Sequence, residues 1–169
     1  MNLAPQIQLN ATPMHYSNGL RGIFQTIALM RSLVNQGRIE PDIRQCAISL
    51  IFLTPEKDEK SEATAIFEFV RDSIRYTRDI NNVETIAAPM KTLQCQIGDC
   101  DDQSTLLAAL LESVGYETRF IVAGYSTKNP EHVYIQVYVN GAWWSCDPTE
   151  QHLFGWFPPD PIVIYVENV

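Results

Sequence analysis

A cysteine at the start of a predicted helix is the residue best placed for chemistry in this chain. Cys100 follows Asp99, a short acceptor preferred at helix N-caps, and Asp102 stands at the spacing of a capping box. Leucines at helical spacing follow until Gly115. The unpaired amides and the dipole of a helix start stabilise an anion, so this position is expected to lower the pKa of the thiol. The carboxylates of Asp99, Asp101 and Asp102 oppose that effect, so a reactive Cys100 needs a cationic neighbour.

His132 is the candidate for that neighbour, because a predicted hairpin brings it beside an aspartate. Asn140 and Gly141 tolerate the positive backbone angles of a type I′ turn and lie between two alternating segments. With a two-residue loop, His132 and Asp147 fall on one face as diagonal neighbours, roughly 7–8 Å apart at the backbone, a gap that long side chains close. The opposite face is apolar, which supports this register, because a slip of one residue would reverse the faces. Its residues are Val133, Ile135, Val137, Val139, Ala142, Trp144 and Cys146.

These side chains are the components of a cysteine–histidine–aspartate active site. In such a site Cys100 attacks a carbonyl carbon, and His132 pairs with the thiolate and then protonates the leaving group. Asp147 orients the imidazole and stabilises its charged form. The backbone N–H of Cys100 is a natural oxyanion donor, while Gln94 is a weak candidate for a second one, since a lone loop glutamine is common. The sequence therefore predicts a thiol enzyme with Cys100, His132 and Asp147 as its catalytic residues.

Two stretches around these residues resemble the transglutaminase-like superfamily. The stretch 98–124 reads as that family's Gly-x-Cys-x-Asp helix start, its small-residue helix ending in glycine, and a strand. The stretch 132–149 reads as its strand with a histidine and an aromatic residue, followed by its Trp…Asp-Pro-Thr strand end. The likeness runs from near Arg75 to near Thr149, about half of the chain, with the motifs in the family's order. A short domain of this kind is also similar to the transglutaminase-like proteins of tailed phages and prophages.

The resemblance implies a papain-like cysteine active site at Cys100, His132 and Asp147, without a cofactor. Activities in the superfamily range over peptidases, deamidases, amide-forming transamidases and inactive scaffolds. We therefore expect an enzyme that acts on amide or peptide bonds of a protein or peptide substrate through an acyl-thioester. Hydrolysis and transamidation are not separated by these residues, since they differ in whether water or an amine reaches the thioester. The alternative is a noncatalytic structural or assembly protein with a structural partner in a phage particle.

The other cysteines raise the alternative of a zinc site. Its four ligands would be Cys95, Cys100, His132 and Cys146. The first two cysteines are spaced more loosely than in a usual zinc knuckle, and a second close pair is lacking. The predicted hairpin also places Cys146 on the face opposite His132. Cys46 lies among apolar residues at helical spacing and is predicted to be in the core. We therefore expect no metal site. We also expect no structural disulfide, since the chain opens without a secretory leader.

The composition predicts one globular domain over residues 1–169. The hydrophobic fraction is 46%, and no apolar run approaches the roughly 18 residues that span a membrane. With 20 acidic and 12 basic residues the formal charge is −8, which argues against binding to nucleic acid or an anionic membrane. We expect a cytoplasmic protein, or a virion-associated one if it is of phage origin. Residues 1–14 are predicted to form a flexible arm and residues 75–149 the catalytic core.

The order of the predicted elements gives the fold class. Three helical patterns come first: one ends at Gly37, one starts at Pro41, and one follows Pro55. The segment from Thr77 to Gln96, with mixed polarity and Pro89, is predicted to be a loop. Strands are predicted at Glu117–Gly124, Glu131–Val139 and Ala142–Asp147, with an edge strand at Ile162–Val166. Helices followed by a short antiparallel sheet indicate an α+β domain.

The position of the catalytic helix on the sheet is predicted from the chemistry. The thiol must approach the imidazole, so the helix is expected on the face that bears His132 and Asp147. Three aromatic residues share that face and are expected to pack under the helix, the alternative being that one of them lines a substrate groove. They are Tyr134, Tyr138 and Trp143.

Overall fold

The structure is a computed structural model that describes most of the chain. The described residues are 20–78, 86–125, 130 and 132–169. The arm predicted at 1–14 lies outside them. No helix among the described residues is long and apolar enough to cross a membrane.

The first half of the chain forms the three predicted helices, α1 (Leu20–Gly37), α2 (Pro41–Ile51) and α3 (Glu59–Ser73). Pro41 opens α2, where its missing N–H costs nothing, and the Asp58 side chain caps α3 by accepting from the Ser61 N–H at 3.1 Å. Each helix buries most of the apolar stripe predicted from its spacing, although Phe24 of the α1 stripe is exposed. The buried residues include Ile27, Met30, Val34, Ile43, Ala47, Ala63, Ile66, Phe67 and Val70.

The segment predicted as one loop between Thr77 and Gln96 is partly regular, so that prediction is wrong. It contains α4 (Pro89–Cys95), while β1 (Arg75–Tyr76) and β2 (Ile97–Gly98) form a short parallel pair at its ends; residues 79–85 lie outside the described part. The proline that suggested a loop opens α4, because the first helical position needs no N–H. A helix of seven residues is too short to show helical periodicity, so no pattern predicted it.

Helix α5 (Cys100–Ser113) is the central element of the fold. The other helices pack around it on one side and the sheet on the other. All residues from 104 to 111 are fully buried. A helix that is apolar on every side must be enclosed by other elements, and this burial fixes the position of its first residue, Cys100.

The second half of the chain forms a four-stranded antiparallel sheet. Its strands are β3 (Thr118–Gly124), β4 (His132–Val139), β5 (Ala142–Cys146) and β6 (Val163–Asn168). Their order is β5-β4-β3-β6, so the late strand β6 lies at an edge of this sheet, as predicted. Mixed helix and antiparallel sheet confirm the α+β fold class.

The hairpin of β4 and β5 has the predicted turn and register. Val139 pairs with Ala142, and φ is +50° at Asn140 and +79° at Gly141, as a type I′ turn requires. This register carries the start of β4 and the end of β5 to the same end of the sheet. His132 and Asp147 lie there.

The predicted face for α5 is wrong, because α5 packs on the opposite face. The large core joins its leucines to Val133, Ile135 and Val137. The apolar side chains of the strands determine the face that the helix covers. Cys100 contacts β4 at the first residues of that strand, beside Val133. The three aromatic residues are therefore not under the helix: Tyr134 is buried with Ile121 and Ala123 in a small separate cluster, and Tyr138 is 41% exposed.

Gly98→Ala should destabilise the fold at the helix start. An added Cβ would lie 2.6 Å from the Asp102 Cβ and 3.3 Å from the Thr92 Cγ2, so the first turn of α5 would have to shift. We expect a loss of about 1–3 kcal/mol in the free energy of unfolding, measured by urea denaturation.

Gly141→Ala is the control for that collision. Its Cβ meets no atom within 4 Å, but its φ of +79° leaves a cost of about 1–2 kcal/mol for a left-handed residue. Amide NMR shifts around Cys100 should move in Gly98→Ala and stay unchanged in Gly141→Ala. Unchanged shifts in both variants would contradict the tight contact between β2 and α5.

Candidate active site

The first turn of α5 places Cys100, and its geometry follows from the capping residue. The Asp99 Oδ1 atom accepts hydrogen bonds from the backbone N–H groups of Asp101 at 3.1 Å and Asp102 at 3.2 Å. The predicted N-cap is therefore present. Cys100 is half-buried as the first helical residue, beside the start of β4.

Two polar contacts fix α5 against β4 at this point. The Ser104 hydroxyl donates to the Val133 carbonyl at 3.2 Å. The Val133 N–H forms a hydrogen bond with Cys100 that favours the thiolate and opposes a rise in the thiol pKa. The cysteine sulfur therefore lies beside the backbone of the residue that follows His132.

Buried polar side chains hold the preceding segment to the same helix. Gln103 Nε2 donates to the Gly98 carbonyl at 3.1 Å and to the Ile74 carbonyl at 3.4 Å. The Asp102 carboxylate accepts from the Ala87 N–H at 2.7 Å. These contacts attach the β1–β2 pair and the end of the preceding loop to the turn that carries Cys100.

The structure brings His132 and Asp147 together. His132 Nε2 lies 2.6 Å from Asp147 Oδ2, and the Asp147 side chain is almost fully buried at 1% exposure. The other carboxylate oxygen accepts from the Thr149 N–H at 3.1 Å and from its hydroxyl at 2.7 Å. Asp147 is thus held on both oxygens, and its orientation toward the imidazole is fixed.

Thr149 is the supporting residue that sequence reasoning missed. Its signal was present in the run Asp147-Pro148-Thr149, because an aspartate commonly accepts from the backbone two residues ahead in a turn. On the other side of the pair, the His132 ring stacks on Tyr134 with centroids 5.9 Å apart. The histidine is therefore positioned by both a hydrogen bond and a ring contact.

The charge of Asp147 determines the protonation behaviour of His132. Burial alone would lower the pKa of the imidazole, but the hydrogen bond and charge of Asp147, with Glu150 and Asp101, raise it above the ordinary value of 6.5. Since Nε2 faces the carboxylate, Nδ1 is the ring nitrogen left to exchange a proton with a thiol.

The expected lowering of the Cys100 pKa is wrong for this arrangement. Burial, followed by the charges of Asp101 and Asp99, raises the pKa of the thiol well above its ordinary value, and the Val133 N–H opposes them only in part. The helix start does favour an anion, but desolvation and two carboxylates outweigh it. This environment favours the neutral thiol over the thiolate.

The remaining cysteines lie apart from this site. Cys95 is exposed at the end of α4, Cys46 is half-buried on α2, and Cys146 is buried on the sheet face that α5 covers. Burial raises the pKa of Cys46 and Cys146. Within the described part of the chain, no three His, Cys, Asp or Glu side chains are grouped to hold a metal ion. The expectation of a metal-free protein stays a prediction.

The motifs, the fold and this geometry agree with a family model. The model of the transglutaminase-like superfamily matches residues 49–148, more than half of the chain. The chain belongs to the transglutaminase-like superfamily. No curated protein sequence matches it.

Solved structures show the same transglutaminase-like fold at low identity. A putative cysteine protease from Cytophaga hutchinsonii aligns with a TM-score of 0.53 and 17% identity, over 76% of this chain and 50% of that one. A putative protease from Parabacteroides distasonis aligns with a TM-score of 0.57 and 12% identity, over 85% of this chain and 29% of that one. LapG of Legionella pneumophila aligns with a TM-score of 0.55 and 18% identity, over 82% of this chain and 87% of that one. The chain thus spans half or less of the first two proteins, and these likenesses establish the fold.

Asp147→Asn should lower the pKa of His132, because burial remains while the largest raising contribution, the hydrogen bond and charge of Asp147, is removed. NMR titration of the imidazole resonances measures this shift. As a control for folding, the chemical shifts of the exposed His152 ring at one fixed pH should be the same in both proteins.

The pair of His132 and Asp147 also makes the difference in stability between the wild type and Asp147→Asn depend on pH. The pKa of His132 is higher in the folded protein than in the unfolded chain, so its protonation stabilises the fold. This contribution to the free energy of unfolding is fully present when the pH is below the pKa of the unfolded chain. It is lost as the pH rises through the pKa of the folded protein. Asp147→Asn should therefore cost about 1–2 kcal/mol at mildly acidic pH and less at alkaline pH. A cost that grows with pH would contradict this account of the pair.

Proposed function

We propose that this transglutaminase-like protein is a cysteine-dependent enzyme that acts on amide or peptide bonds of a protein or peptide substrate through an acyl-thioester. Cys100 is the nucleophile, His132 the general base and acid, and Asp147 the residue that orients His132. The observation that carries the proposal is the 2.6 Å contact of His132 with a buried Asp147, at the strand start against which Cys100 lies.

The first half of the reaction forms the acyl-enzyme. The Cys100 thiol gives its proton to His132 Nδ1, and the sulfur attacks the carbonyl carbon of the amide to form a C–S bond. Negative charge develops on the carbonyl oxygen, where the backbone N–H of Cys100 at the helix start is the available donor. When the C–N bond breaks, the imidazolium gives its proton to the leaving amine.

The second half releases the acyl group. Water or an amine gives a proton to His132 as it attacks the thioester carbon, the C–S bond breaks, and the sulfur recovers the proton as a thiol. Water yields an acid and an amine yields a new amide. Gln94, the sequence candidate for a second oxyanion donor, is exposed on α4, and we assign no role to it.

The raised pKa of Cys100 is compatible with this mechanism when proton transfer accompanies attack. A raised His132 pKa makes the imidazole a better proton acceptor, and Asp147 stabilises the imidazolium that forms. We further propose that the chain acts as a single unit with residues 75–149 as its catalytic core, of the short type similar to phage proteins, in the cytoplasm or in a virion.

His132→Ala should slow the alkylation of Cys100 at neutral pH at least about tenfold, because the base that takes the thiol proton is lost. Iodoacetamide labelling followed by mass spectrometry measures the rate at each cysteine, and Cys46 is the internal reference. Asp147→Asn should slow it several-fold. The exposed His152→Ala is the matched control and should leave the rate unchanged.

Turnover is tested on two probes with the same variants. Casein reports hydrolysis through released peptides, and casein with a dansylated amine reports transamidation. Loss of either activity in Cys100→Ser and His132→Ala supports the enzyme. If Cys100 alkylates equally fast without His132 in a folded variant, the noncatalytic structural or assembly role takes its place.

A further inference from the structure

The Cys100 thiol has a carboxylate partner in its own helical turn. Its Sγ atom donates to Asp101 Oδ1 across 3.6 Å, while the Val133 N–H approaches the sulfur from β4. A carboxylate that accepts a hydrogen bond from a thiol stabilises the protonated sulfur and opposes the thiolate. The mechanism above assigns no role to this contact.

Charged and titratable groups face this thiol from three elements. From α5 the charges of Asp99 and Asp101 raise its pKa, after the larger effect of burial. From β1 comes Tyr76, which is hydrogen-bonded to Arg78; burial, and then the interaction with Cys100, raises the pKa of its phenol. From β4 the Val133 N–H contacts the sulfur, and the preceding residue, His132, is paired with Asp147. Asp102 is turned to the Ala87 amide.

We propose that Asp101 is a positioning residue that holds Cys100 as a neutral thiol, so that the sulfur reacts only after its proton turns from Asp101 to His132. The inference rests on the proposed function and deepens it. On activation the S–H···O contact breaks, the proton moves to His132 Nδ1, and the sulfur becomes a thiolate while Asp101 stays ionised.

Asp101 and Asp99 have different roles although both are acids at one helix start. Asp99 Oδ1 accepts two backbone N–H groups, so it serves the helix, and its charge raises the pKa of the thiol. Asp101 acts on the sulfur by charge and by direct hydrogen bond. An acid that only complements the helix dipole would give the two positions equal effects on the thiol.

The test compares Asp101→Asn with Asp99→Asn in the full chain. Each removes one charge, and asparagine at position 99 still caps the helix. The pH dependence of Cys100 alkylation by iodoacetamide is followed by mass spectrometry, and thiolate formation by ultraviolet absorbance, with Cys100→Ser as the blank. Thermal unfolding checks that each variant is folded.

In Asp101→Asn we expect about tenfold more thiolate at neutral pH, because loss of an adjacent charge and hydrogen bond lowers a pKa by about one unit. Alkylation should accelerate only about threefold, since a less basic thiolate is a weaker nucleophile. Asp99→Asn should give less than half of that pKa shift. Asp101→Ser, which retains a small polar group, should reproduce the result if the asparagine variant folds poorly.

Equal shifts in the Asp101 and Asp99 variants, or no shift in Asp101→Asn, would overturn the inference. Failure of the proposed function is distinguished by His132→Ala. If that variant alkylates as fast as the wild type, the enzyme mechanism fails. If it slows alkylation while Asp101→Asn matches Asp99→Asn, only the role of Asp101 is lost.

Discussion

The contact between the first turn of α5 and the first residues of β4 is the constraint on which the site depends. α5 is enclosed on every side, so its axis cannot move without disturbing the whole core. Ser104 and Val133 join the helix to the strand at one end, and that end is where Cys100 begins the helix and His132 begins the strand. The positions of Cys100 and His132 therefore depend on core packing at this end of the strand.

Burial at this end acts in opposite directions on the two titratable partners. It favours the neutral form of each, so it raises the pKa of the Cys100 thiol and would by itself lower that of His132. Asp147 reverses the effect on the histidine, because its carboxylate lies 2.6 Å from the ring and is itself fixed by Thr149. The aspartate thus raises the pKa of an imidazole that burial alone would lower, while the pKa of the Cys100 thiol stays raised.

Features set by neighbours along the chain were predictable from the sequence. The Asp99 cap, the type I′ turn at Asn140 and Gly141, and the shared face of His132 and Asp147 depend on local acceptors, backbone angles and strand alternation. Features that depend on tertiary packing were not predictable from the sequence. The face that α5 covers is decided by the sum of apolar surface in both layers, α4 is too short for a periodic signal, and the Cys100 pKa depends on burial.

The three aspartates around Cys100 show a conflict between stabilising the helix and activating its first residue. A helix start with unpaired amides is stabilised by carboxylates, and Asp99 accepts two amides there, while Asp102 accepts the Ala87 amide that fixes the preceding segment. The same negative charges disfavour a thiolate in their midst. An anion at Cys100 therefore requires a nearby cation to offset these charges. In the proposed mechanism His132 is that cation once it has taken the thiol proton, and Asp147 stabilises its charged form.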